Sequence, residues 1–171
     1  DNWADAKWLH DTAAELKVPL MAGSSLPVLW RYPPVDVKRG VKLKEIVAVS
    51  YHTLDAYGFH ALEMAQCLAE RRAGGETGVK QVRCLSGETV WQAMENGMFD
   101  LMLLEAALKR LKKSPITRRP DMSLRKLVKN PDMFVIEYRD GVKAYILTLN
   151  GAVSEWGVAW KTAAGRSIPF S

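Results

Sequence analysis

The dipeptide Asp140-Gly141, set between two β-rich runs, constrains this chain more than any other feature. Asp-Gly is suited to the centre of a tight hairpin turn, so residues 133–138 and 142–150 are expected to be antiparallel neighbours. A third β-rich run, residues 152–162, follows with no helix between. Consecutive strands of this kind demand an antiparallel or mixed sheet, which points to an α+β fold.

Upstream the pattern alternates between helix and strand. Asn2 is placed to cap a helix running to about Lys17, with Ala4, Trp8, Leu9, Ala13 and Leu16 near helical spacing. Residues 18–22 form a short apolar run ended by Gly23, which reads as a buried strand closing one αβ unit. Residues 24–39 carry Pro27, Pro33 and Pro34 and read as loop. Then come a strand (45–53), an amphipathic helix (56–72), a glycine-rich break (73–78) and a strand (79–85). Two helices (86–96 and 99–113) follow, then a basic loop with a short helix at 124–128. We therefore expect residues 24–171 to form an α+β domain whose mixed, largely antiparallel sheet carries its helices on one face. Residues 1–23 are expected to precede it as a helix and short strand, the tail of an open αβ layer. A sheet with one uncovered apolar face predicts a homodimer formed face to face.

Composition narrows the class. With 48% hydrophobic and 25% charged residues, the chain reads as an ordinary globular protein. No apolar run approaches the roughly 20 residues of a membrane helix, and no membrane partner is expected. The start, Asp1-Asn2-Trp3-Ala4-Asp5, has no secretory pattern. It lacks an initiator Met, as expected of a chain cut from a longer protein or numbered from its ordered part. Net charge is +5, and nine cations fall between Lys109 and Lys129. No aromatic residue interleaves them to stack on bases, so the cluster reads as a solvated helix end and loop, and no nucleic-acid partner is expected. Cys67 and Cys84 form neither a disulfide framework nor a CxxC site. Both are expected to be reduced and buried, in a cytoplasmic protein.

Two segments resemble a known family. Ala4-Asp5-Ala6-Lys7 through Met21-Ala22-Gly23 resembles the last helix and strand of the nucleotide-binding domain of the glucose–fructose oxidoreductase and inositol dehydrogenase family. Residues 45–68, with Tyr57-Gly58-Phe59-His60-Ala61-Leu62-Glu63, resemble that family's first sheet strand and the following helix start, and residues 79–82 its next strand. The segments Met21-Ala22-Gly23-Ser24-Ser25-Leu26-Pro27 and 70–78 also resemble bacterial proteins of unassigned function. The resemblance implies the substrate-binding and oligomerisation half of an NAD(P)-dependent sugar oxidoreductase, with a small-molecule substrate. The family's G-x-G-x-x-G fingerprint is absent, so no cofactor is expected in this chain, and NAD(P) belongs to a full-length parent.

The same resemblance makes His60 the residue that contacts the sugar hydroxyl being oxidised. Its flanking acids are Asp55, one place from the family position now held by Ala56, and Glu63. An imidazole suits acid–base work near neutral pH. Ser24 follows an expected strand and supports an alternative, a small hydrolase acting on a lactone or ester, although Gly23-Ser24-Ser25-Leu26-Pro27 lacks the second glycine and the helix of a nucleophile elbow. His52, Asp55, His60 and Glu63 fall within twelve residues, but no HExxH spacing supports a metal. Trp91, Trp156 and Trp160 read as core or interface anchors.

Overall fold

Ile46-Val47-Ala48-Val49 and Ala144-Tyr145-Ile146-Leu147 are apolar at every position. Successive strand residues point to opposite faces, so strands with such runs must be covered on both sides. In the computed structural model, which describes residues 2–35, 37–165 and 167–171, the two runs are adjacent inner strands, β1 (Leu43–Ser50) and β4 (Lys143–Thr148). Helix α1 (Trp3–Glu15) precedes them. After β1 come a π-helical turn (Leu54–Gly58), α2 (Phe59–Ala69), β2 (Val79–Ser86), α3 (Glu88–Glu95), α4 (Leu101–Leu108) and the short α5 (Pro115–Arg118) and α6 (Leu124–Leu127). Strands β3 (Asp132–Tyr138), β4, β5 (Gly157–Thr162) and β6 (Ser167–Phe170) complete the chain.

The six strands form one mixed sheet in the order β2-β3-β4-β1-β5-β6. Only β1 and β4 run parallel; every other pair is antiparallel. The expected hairpin joins β3 to β4, with Glu137 opposite Lys143. Gly141 takes φ +86° there, a conformation that side chains disfavour. The α+β class and the mixed, largely antiparallel sheet are as the sequence predicts. Strand β6 was not anticipated.

The placement of the helices differs from expectation. One face, with Val47, Val49, Val135, Tyr145, Leu147 and Ala159, is covered by α3 and α4 through residues such as Trp91 and Leu103. The opposite face, with Ile46, Ala48, Ile136, Ala144, Ile146 and Trp160, is covered by α2 through Ala61, Met64, Ala65 and Leu68. Helices therefore lie on both faces, not one, because the inner strands are apolar at odd and even positions alike. The uncovered apolar face on which a face-to-face homodimer was expected is absent over these inner strands.

Two local expectations also change. Residues 18–22 form no strand and lie exposed; nothing pairs with them. Helix α1 forms, with the Asn2 side chain accepting the Ala4 N–H at 2.9 Å, but none of its residues is buried. It ends in a Schellman arrangement: Lys17 at φ +53° donates to the Ala14 carbonyl and Val18 to the Ala13 carbonyl. Cys84 is exposed rather than buried, because β2 is an edge strand with few covering neighbours; Cys67 is half-buried, and both thiols are free. Among the described residues, no helix is long and apolar enough to cross a membrane.

Candidate functional site

The parallel pair sets the position of the site. Strands β1 and β4 end together, with Ser50 opposite Thr148, and their buried hydroxyls hydrogen-bond at 3.0 Å. The carboxyl ends of parallel strands are where open sheets tend to present ligand-binding residues. Strand β5 runs antiparallel to β1, so its start, Gly157 opposite Val49, brings Trp156 to the same end. Beyond β1 the chain continues through Tyr51, His52 and Thr53 into the π-helical turn, a feature frequent at functional sites. Thr53 caps that turn by accepting the Ala56 N–H at 3.3 Å. Gly58 is buried beside Phe134, and α2 then starts with Phe59 and His60.

These elements gather five rings. Tyr57 stacks on Trp156 with centroids 5.4 Å apart and planes 16° from parallel. Tyr51 lies 5.1 Å from Tyr57 and 5.3 Å from Trp156. His52 and His60 flank Tyr57 at 4.8 and 5.9 Å. Burial pushes the Tyr51 hydroxyl above its ordinary value, and the neighbouring Tyr57 adds to that shift. The loop after α1 crosses this cluster, and the Ser24 Oγ meets His60 Nδ1 at 2.8 Å. Ser24 Oγ also accepts the Leu26 N–H at 3.1 Å, which fixes its rotamer.

Of the four residues expected to act together, the structure joins Ser24 and His60 directly. Glu63 lies close by: its carboxylate packs against Gly23 and lines, with Ser24, an open hollow of about 490 Å³. Asp55 is exposed in the π-helical turn, and no hydrogen bond joins either Asp55 or Glu63 to His60. No group of three or more His, Cys, Asp or Glu among the described residues is placed to hold a metal ion. A narrower cleft of about 320 Å³ lies between Trp30, Tyr51, Trp156 and the Met64 and Cys67 side of α2. His60, Met64 and Cys67 follow one another at i, i+4 and i+7 on one helix stripe, and Met64 and Cys67 line the cleft. Burial raises the Cys67 thiol above its usual value, against the pull of nearby Arg31.

Sequence reasoning missed Tyr51, Tyr57 and Asn150 and assigned Trp156 to the core or an interface. Their signal was weak, since aromatic residues at a strand end are common. Only the parallel pairing of β1 with β4, strands far apart in the chain, brings Asn150 beside His52. Part of the basic run 109–129 is partnered by other segments: Arg125 pairs with Glu88 and Glu95, and Lys112 sits 3.8 Å above the Tyr32 ring.

Compared with family models, curated proteins and solved structures, the chain matches none. The resemblance to the sugar oxidoreductases therefore stands on the residues quoted above. The turn after β1 does not fit the nicotinamide cofactor which that resemblance implies. Its pyrophosphate needs a glycine turn between a strand and a helix, so that backbone N–H groups can approach. After β1 that position holds Tyr51, His52 and Thr53, and Thr53 Oγ1 already takes the Ala56 N–H.

Proposed function

We propose that this chain is a substrate-binding domain related to the carboxyl-terminal half of nicotinamide-dependent sugar oxidoreductases, taking a small polyhydroxylated molecule beside the Ser24–His60 contact. The observation that carries this reading is the 2.8 Å contact between Ser24 Oγ and His60 Nδ1 beside the stacked Tyr57–Trp156 pair. The serine holds one imidazole nitrogen and leaves Nε2 for a ligand hydroxyl. The aromatic rings offer apolar faces to the carbon skeleton of such a ligand, and a few placed polar groups orient it. NAD(P) would be supplied by a separate nucleotide-binding domain. Self-association as a homodimer and a cytoplasmic setting belong to the same reading, and the two free thiols are in keeping with the second.

The test is a tryptophan-fluorescence titration with myo-inositol, D-glucose and D-glucono-1,5-lactone. A saturable change is expected, weakened at least about tenfold in His60→Ala, or about 1.4 kcal/mol of binding. No response from any of the three compounds would end this reading.

The same Ser24–His60 contact favours a second reading, a hydrolase acting on a lactone or ester. Against it, the contact uses Nδ1, no carboxylate among the described residues orients the ring, and Ser24 sits on no strand–helix elbow. Hydrolysis of the lactone by the wild type, lost in Ser24→Ala, would put the hydrolase reading first.

A further inference from the structure

Two non-glycine residues among those described have positive φ: Lys17 at +53° and His52 at +71°. Lys17 is accounted for by the end of α1, where a left-handed residue closes the Schellman turn. His52 ends no helix. It follows the carboxyl end of β1, where an ordinary strand exit would not require a left-handed residue. Its backbone is held on both sides by one side chain: His52 N–H donates to Asn150 Oδ1 at 2.5 Å, and Asn150 Nδ2 donates to the His52 carbonyl at 2.9 Å. Asn150 stands just past β4, the parallel partner of β1, so the two strand ends are tied together through this residue. The imidazole is exposed and lies 4.8 Å from the Tyr57 ring, while His60 lies 5.9 Å from the same ring. Thr53 Oγ1 lies 3.4 Å from His52 Nδ1, and no described residue hydrogen-bonds Nε2. A disfavoured backbone conformation that the surroundings over-determine is a recurrent property of ligand-contacting residues.

We infer that His52 is a second ligand-contacting imidazole of the same site, displayed by the Asn150 clamp so that a polyol lying along Tyr57 meets His60 at one hydroxyl and His52 at another. This inference rests on the polyol-binding reading above. Its consequence is selectivity by length: a ligand long enough to reach both imidazoles engages both, and a shorter one engages only His60.

The experiment uses the full chain and the variants His52→Gly, His52→Asn and His60→Ala, titrated with myo-inositol and with glycerol as the short probe. Glycine accepts the left-handed backbone and keeps both Asn150 hydrogen bonds, so His52→Gly folds with a thermal midpoint equal to or above that of the wild type. The expected result is at least about a tenfold loss of myo-inositol affinity in His52→Gly, with little change for glycerol. Partial recovery is expected in His52→Asn, which tolerates the same backbone and retains a donor and an acceptor. If His52→Gly binds myo-inositol as the wild type does while His60→Ala does not, the inference is overturned and the site reading survives. If the wild type binds neither probe, both fall.

Discussion

The first 23 residues and the sheet that follows them use similar apolar side chains to opposite effect. In the amino-terminal arm, Trp3, Trp8, Leu9, Leu16 and Met21 are all exposed, Trp3 and Met21 by more than four-fifths, and no residue of α1 is buried. In the body, Ile46, Leu68, Leu103 and Leu147 are fully buried between two helical layers. The difference lies in the presence of a second apolar surface. Hydrophobic burial is non-directional and scales with the area removed from water, so a sequence pattern stabilises a fold only where something covers it. The arm keeps its helix through local devices, the Asn2 cap and the Lys17 turn, while the body is stabilised by packing.

The comparison breaks most readily at Arg72. Its side chain is 1% exposed and pairs with Asp140 at 2.7 Å. It also donates to the Ala69 carbonyl at 2.6 Å and to Thr77, and it lies 4.4 Å over the Tyr138 ring. Arg72→Ala removes the buried guanidinium with its hydrogen bonds and ring contact and leaves Asp140 open to solvent, and is expected to cost about 2 kcal/mol of unfolding free energy. Urea denaturation measures it, and a cost near zero would mean that this network is not part of what holds the body together.

A smaller effect follows from the other member of the pair. The hydrogen bond from Arg72 holds the Asp140 carboxyl below its ordinary value of 3.8, against a desolvation that raises it. A carboxyl lowered in the folded state stabilises the protein above its unfolded value, and the contribution is lost as pH falls through the folded value. Stability should therefore drop on acidification below about pH 4, and Asp140→Asn should flatten that part of the profile. Chemical denaturation between pH 2.5 and 6 tests the sign; an unchanged acid slope in Asp140→Asn would assign the loss to other carboxylates, such as Asp100, which Lys161 holds low.

The smallest expected effect sharpens the contrast. Trp8, 64% exposed on α1, should tolerate Trp8→Ala within about 0.5 kcal/mol of global stability. A loss above about 1 kcal/mol would show that the arm packs on something in solution and that the two regions are not energetically separate.

Much of the element order was legible in the chain. The β3–β4 hairpin follows from Asp140-Gly141, the start of α1 from Asn2, and the paired helices α3 and α4 from their apolar spacing and the break at Gly97. At the site, the meeting of Ser24 and His60 realises two residues singled out from the sequence, while Asp55 stays apart from them. Glu63 reaches the hollow without touching the imidazole. Arg72 gave no signal of its own, because a buried arginine reads in sequence like any surface cation.

Local chemistry marked the Asp140-Gly141 turn, the Asn2 cap and the break at Gly97, since turn residues, caps and period act over a few positions. The tertiary structure decided what those elements face. It placed helices on both sides of the sheet, left residues 18–22 without a partner strand, and paired β1 with β4 across almost a hundred residues, so that His52 and Asn150 meet. Strand pairing and burial are non-local, and the free energy that selects them belongs to surfaces that exist only once the chain has closed on itself.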